Sequence, residues 1–271
     1  MAQFGAYNDI AVDVADFVAL VEIRRPPYNF FDQDLIAEIA DAFEALDRTD
    51  DCRAIVLASE GKAFCAGADF SAGGDFSDRA ADRGDDEGGP PLQANHLYVE
   101  AVRLFRTTKP IIGAIQGAAV GGGLGLAMVP DLRVACPEAR FCANFTRLGF
   151  HPGFGLTTTL PAAIGQGNAA LMFYTSRRIK GEEAHAMGLA DVLVSQDQVR
   201  ATAMALAAEI AENAPLGLIS TRATMRLGLA DRVAAATDRE LAEQTRLRAT
   251  EDFAEGIKAM GERRVPNFAA R

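Results

Sequence analysis

Two short runs of small residues each follow an apolar strand pattern, and both are suited to letting a ligand reach the backbone. The first is Gly61-Lys62-Ala63-Phe64-Cys65-Ala66-Gly67-Ala68-Asp69, directly after the apolar run 54–58. The second is Gln116-Gly117-Ala118-Ala119-Val120-Gly121-Gly122-Gly123-Leu124-Gly125, directly after 111–115. Side chains this small leave main-chain N–H groups open to close approach. The second run also opens a helix, whose first N–H groups and dipole favour a negative oxygen. Two such turns side by side could aim two N–H donors at one oxygen, the arrangement of an oxyanion hole. Close strand–helix packing is the plainer reading of either turn taken alone.

Other chemistries find no support in the residue spacing. There is no GxSxG elbow and no HExxH helix. Gly61-Lys62 is followed by Ala63 instead of the Ser or Thr of a P-loop, and the glycine run 121–125 does not fit GxGxxG. The four cysteines, Cys52, Cys65, Cys136 and Cys142, form no CxxC pair, and there are three histidines. No metal site is expected, and a reducing, cytoplasmic setting fits. Lys plus Arg is 27 against 37 for Asp plus Glu, a net charge of −10, which argues against a nucleic-acid partner. A local basic pocket for one phosphorylated ligand is still compatible with that charge. The first fourteen residues lack the basic start and apolar run of a signal peptide.

The elements that must position the two turns read as a repeating strand–helix pattern. Residues 10–14 and 17–23 alternate as a hairpin around Ala15-Asp16, stopped by Pro26-Pro27. Leu35, Ile36, Ile39, Phe43 and Leu46 predict a helix over 33–47 with Asp32 as N-cap. Residues 54–58 and 111–115 are apolar throughout, the pattern of strands buried on both faces. Residues 71–91 carry six acids, two arginines, five glycines and two prolines, which predicts a solvated loop, with a lid as the functional alternative. Helix is predicted over 92–106 and from the glycine turn to about Val129, and a strand over 132–136. From Gln198 onward the pattern is helical: 198–213, 216–228, 231–249 and 252–263. No internal repeat of fixed period is apparent.

One stretch tests the soluble reading. Residues 111–130 carry no charge for twenty positions, the length of a membrane span, with Gly113, Gly117, Gly121 and Gly125 at four-residue spacing. Yet glycine costs a helix about 1 kcal/mol relative to Ala at each position. Strand, glycine turn and helix is the expected reading, with no membrane partner.

Taken together, KAFCAGAD and KPIIGAIQGAAVGGG resemble the crotonase superfamily, the enoyl-CoA hydratase/isomerase family. The resemblance covers most of the chain. It includes Arg24-Arg25-Pro26-Pro27-Tyr28-Asn29, Pro130-Asp131-Leu132-Arg133-Val134-Ala135 and Arg140-Phe141. It continues through Gly149-Phe150-His151-Pro152-Gly153-Phe154-Gly155, Gly181-Glu182-Glu183-Ala184, Gly188-Leu189-Ala190 and Thr250-Glu251-Asp252. It implies an α/β fold, a spiral of ββα units over 1–197 that carries an acyl-CoA site. A C-terminal helical region, 198–271, would build homotrimers, commonly paired into homohexamers. By position the backbone N–H groups of Ala68 and Gly122 would be the oxyanion donors. Lys62, Phe64 and Ala66 would contact coenzyme A, with Arg24 nearby. Coenzyme A would enter as part of the substrate, with no separate cofactor.

The departures from the family matter more. Family hydratases carry one glutamate where this chain has Gly125 and a second where it has Phe145. Neither replacement can transfer a proton. Aspartates used by other members fall at Pro152 and Gly153. His151, in the turn bordering the acyl pocket, and Tyr98, on the preceding helix, are the first side chains to consider instead. His96 is expected on another face, and His185 on a solvated helix. Asn144 and Thr146 would point away from Phe145 if that segment is a strand. Phe145, Phe154 and Tyr98 suggest an apolar or aromatic acyl group. Three readings stay open: a hydratase/isomerase-type enzyme with its acid–base group unassigned, a C–C bond or thioester hydrolase on the same scaffold, or an acyl-CoA-binding protein without turnover.

Overall fold

The computed structural model of the chain describes residues 5–69 and 97–271. The opening hairpin joins β1 (Ile10–Ala15) to antiparallel β2 (Val18–Ile23). Its turn falls one residue later than expected, with Asp16 and Phe17 both at positive φ. Helix α1 (Gln33–Asp47) starts where the Asp32 carboxylate accepts the Leu35 N–H, and it buries the apolar stripe read from the sequence. Strand β3 (Ala54–Ser59) is buried at every position and pairs parallel with β2.

From β3 on, each long apolar strand is followed by a strand of three residues. β4 (Ala63–Cys65) follows β3, β6 (Ala118–Val120) follows β5 (Ile111–Ile115), and β8 (Arg140–Cys142) follows β7 (Leu132–Ala135). The helices that come next are α2 (Leu97–Arg106), α3 (Gly122–Ala127) and α4 (Leu156–Thr175). This is the ββα spiral, a structural repeat that no sequence period announces. The first strands build a six-stranded sheet of order β1-β2-β3-β5-β7-β10, closed by β10 (Val192–Leu193). The short strands build a second sheet of order β4-β6-β8-β9, with β9 (Arg178–Lys180) on its edge.

α5 (Gly181–Ala186) leads into β10, and after β10 the chain is helical, as its pattern from Gln198 predicts: α6 (Val199–Ala211), α7 (Pro215–Met225), α8 (Leu229–Arg248) and α9 (Glu251–Gly261). α6 packs across β2, β3, β5 and β7, while α8 packs on α2 and α4. The uncharged stretch 111–130 resolves into β5, β6 and α3. No described helix is long and apolar enough to cross a membrane. The acidic segment 71–91, the first residues of the helix predicted from 92, and His96 lie outside the described residues.

Candidate active site

The two small-residue turns meet because β4 and β6 pair as parallel neighbours, Ala63 opposite Ala118 and Cys65 opposite Ala119. Glycine makes the approach possible. Gly67, at φ +87, would place a Cβ 2.7 Å from the Val120 carbonyl oxygen, and that same point lies 3.9 Å from the Gly122 nitrogen. A Cβ at Gly123 would strike the Cys65 carbonyl. The first turn is pinned from behind by Asn29, which is fully buried. Its Nδ2 donates to the carbonyls of Glu60 at 2.7 Å and Ala63 at 2.8 Å. The Ala66 N–H donates to Tyr28 and the Gly67 carbonyl accepts from Phe31. The second turn is anchored by Gly121, whose N–H donates to the Cys142 carbonyl at 2.8 Å. Gly122, the first residue of α3, has no acceptor for its N–H within its own helix.

In front of these turns lies a cavity of about 550 Å³. The turns contribute Ala66–Asp69 and Val120–Gly122, and α2 contributes Leu97 and Tyr98. The segment after β8 supplies Asn144, Phe145, Leu148 and Phe150, and the C-terminal helices supply Gln244, Arg248, Ile257 and Met260. The wall is mainly apolar, and Asp69 is its one carboxylate among the described residues.

Of the residues singled out in the sequence, Ala66, Ala68, Tyr98, Gly122 and Phe145 line this cavity together. Arg24, Lys62, Phe64 and His151 are not among its lining residues. Arg24 is exposed, 3.2 Å from Glu22. Lys62 is exposed at the start of β4, and Phe64 is buried in the core. The His151 ring donates from Nδ1 to its neighbour Pro152, 2.8 Å away. His185 is exposed on α5, its Nδ1 3.0 Å from the Ala190 carbonyl. The expectation that Asn144 points away from Phe145 is corrected. Phe145 enters a 3-10 turn over Thr146–Leu148 instead of continuing a strand, so Asn144 and Phe145 share the cavity wall. Thr146 turns instead to Phe173 and Ser176.

Tyr98 is fully engaged. Its hydroxyl donates to Gln244 Oε1 at 2.9 Å, and burial pushes its pKa well above the usual tyrosine range. Only a glycine at 153 leaves room for that hydroxyl. Gly125 is buried, and a Cβ there would lie 2.5 Å from Phe154 Cβ. The Phe154 ring therefore fills the space a side chain at 125 would need. Phe154 itself sits at φ +64, just ahead of α4, whose first N–H groups are capped from α8 by the buried Glu240. Its carboxylate accepts from the N–H of Gly155 at 2.7 Å and from the N–H and hydroxyl of Thr157 at 3.0 and 2.6 Å. Burial raises the Glu240 pKa, and these donors work against that rise.

Sequence reasoning passed over Asn29, Gln244 and Arg248 as site-forming groups. Asn29 stood only as one letter of a matching run, and the other two come from a helix far along the chain.

Comparison with known proteins decides the family. The enoyl-CoA hydratase/isomerase family model matches residues 14–271. The chain belongs to that family. A crotonyl-CoA hydratase from Syntrophomonas wolfei is 31% identical over 268 residues, 98% of this chain and 100% of that protein. A glyoxysomal fatty acid beta-oxidation multifunctional protein from Cucumis sativus is 36% identical over 201 residues, 73% of this chain, which spans only 26% of that longer protein. Among solved structures, an enoyl-CoA hydratase/isomerase from Pseudoalteromonas atlantica superimposes with a TM-score of 0.84. It is 28% identical, covering 97% of this chain and 100% of that one.

Proposed function

We propose that the chain is an acyl-CoA enzyme that holds a thioester oxygen between the backbone N–H groups of Ala68 and Gly122. The observation that carries this reading is the parallel pairing of β4 and β6, which sets both turns at one end of the cavity. A fixed donor aimed at a developing enolate oxygen is worth about 3–4 kcal/mol in a dry site. Coenzyme A enters as part of the substrate. The carboxylate pair of a family hydratase is absent, since Gly125 and Phe145 stand at both positions.

The test is the carbonyl stretch of a bound acyl-CoA, read by isotope-edited infrared spectroscopy. Two donors on the oxygen shift the thioester band to lower frequency relative to water. An unshifted band with saturating ligand would reduce the protein to a coenzyme A binder.

The filled space at Gly125 favours a second reading, cleavage of a C–C or thioester bond, in which an enolate or tetrahedral oxyanion forms without that acid. Free coenzyme A thiol released from a panel of acyl-CoAs reads thioester cleavage, a shortened acyl-CoA in the product mass spectrum reads C–C cleavage, and an intact thioester heavier by one water reads hydration. The family resemblance also supports a homotrimer or homohexamer, and the four unpaired cysteines fit a reducing, cytoplasmic setting. Leu216, Met225 and Leu227, at 81%, 82% and 79% exposure on and after α7, offer apolar surface for such contacts. Light scattering at micromolar concentration checks this, and a monomer would reject it.

A further inference from the structure

We infer that a second cavity, between the outer face of the second sheet and α9, is a site for the phosphate groups of a nucleotide. This inference stands apart from the acyl-CoA reading above. The cavity measures about 870 Å³ and shares Val120, Asn144, Leu148 and Arg178 with the first. Five arginines line it, Arg140, Arg147, Arg178, Arg263 and Arg264, and no carboxylate does so among the described residues. The chain as a whole carries a net charge of −10, so this concentration of one sign runs against its composition. Arg264 is already paired, with Glu255 and Glu262. The side chains of the other four make no hydrogen bond or ion pair among the described residues.

The positive face is built at a local cost. Antiparallel pairing sets Arg140 directly opposite Lys180 and Cys142 opposite Arg178. Strand alternation turns Phe141 and Ile179 into the core, and it leaves Arg140, Arg178 and Lys180 exposed together on the other face. Like charges directly opposite one another destabilise a paired ladder. Arg263 stands just past α9 at φ +55, a region that few residues other than glycine adopt. Its N–H donates to the Met260 carbonyl at 3.1 Å and that of Arg264 to the Ala259 carbonyl at 3.0 Å, which closes the turn over the cavity. Cations gathered against their mutual repulsion are relieved by an anion. A phosphate suits them better than a carboxylate, because it brings about two charges and three acceptor oxygens that can engage more than one guanidinium. Leu148, Met260 and Pro266 supply apolar surface for the rest of a nucleotide. Such phosphates could come from coenzyme A or from a free nucleotide. The resemblance assigned the coenzyme to Lys62, beside β4, whereas Arg178 and Lys180 stand on β9, at the opposite edge of the sheet.

Calorimetry at low salt compares adenosine 3′,5′-bisphosphate with adenosine. The bisphosphate is expected to bind about tenfold more tightly or better, and to weaken as salt is raised. Combining Arg140→Gln with Arg178→Gln should lower its affinity by about tenfold. Arg232→Gln, the same charge change on an exposed residue of α8 outside the cavity, should alter it by less than about threefold. Phenylglyoxal labelling of the wild-type protein, mapped by mass spectrometry, gives an answer that needs no variant to fold: the bisphosphate should protect Arg140 or Arg178. Saturating acyl-CoA then separates the two sources. Displacement of the bisphosphate assigns the phosphates to the coenzyme, and simultaneous binding assigns the site to a free nucleotide; each supports a phosphate site. Equal binding of bisphosphate and adenosine, an affinity untouched by the double variant, or protection of neither arginine overturns the inference and leaves the acyl-CoA reading standing. Binding of the bisphosphate with no acyl-CoA bound at any concentration does the reverse.

Discussion

Gly125 shows how a single missing side chain can be enforced by its neighbour. Replacing it with glutamate would not restore a hydratase, because Phe154 Cβ stands 2.5 Å and its ring 2.7 Å from where the new Cβ must go. Gly125→Glu should destabilise the fold by about 1–3 kcal/mol, as overpacking does, with no gain in crotonyl-CoA hydration. Thermal unfolding and a hydration assay read the two effects. Adding Phe154→Gly, which removes the Cβ as well as the ring at a positive-φ position, and Phe145→Glu clears the space and supplies the second carboxylate, and hydration should then rise by about 10²-fold or more. If Gly125→Glu with Phe145→Glu alone does as well as the triple variant, Phe154 is not the obstacle. That positions 125 and 145 carry glycine and phenylalanine was legible in the sequence. The ring that keeps a larger side chain out of position 125 was not, because residues 125 and 154 meet only through folding. Asn144 was misplaced for a related reason: its orientation depended on whether residues 144–146 form strand or turn. Short local windows do not separate those two.

The elements most legible in the sequence are those with long, uninterrupted patterns. Helix α1 has its N-cap and stripe, and β3 and β5 are apolar at every position. The short strands β4 and β6 were absorbed into turns, because Ala63-Phe64-Cys65 and Ala118-Ala119-Val120 are too brief to show a period. Helix α4 went unread for a different reason. Pro161 and the kink at Gly165, φ +77, interrupt its helical pattern.

The attachment of α7 to the core also lay outside sequence reasoning, since it runs through Asp131. That carboxylate accepts from the Ile111 N–H at 2.8 Å, from Arg222 Nε at 2.8 Å and from Arg226 Nη1 at 2.6 Å. Asp131→Asn leaves two arginines without their anion, and stability should fall by about 3–5 kcal/mol. Burial works to raise the Asp131 pKa, but the charges of Arg222 and Arg226 outweigh it and hold the pKa below 3.8. The folded state therefore favours the ionised form. The advantage of wild type over Asp131→Asn should be complete above pH 3.8 and shrink as pH falls through the lower folded-state pKa. Urea titrations of both proteins along a pH series test the sign. A gap that widens on acidification contradicts it.

At the scale of the whole molecule, all four cysteines are buried and none is paired. Burial pushes the Cys65 thiol up to about 12 and those of Cys52 and Cys142 up to about 11. A thiol reagent at pH 8 should find no fast-reacting group in the native protein and four after denaturation. A rapid native phase would place at least one cysteine at the surface. The spiral arrangement has one more consequence, which concerns time. Ala68 and Gly122 lie on different units, and parallel pairing of two three-residue strands is what brings them together. Helices form within microseconds, whereas contacts between distant parts of a chain arrive late. During refolding, helical circular dichroism should therefore recover before acyl-CoA binding does. The site comes into being with one of the last registers to lock, so a partly refolded population will be rich in helix and still unable to hold its ligand.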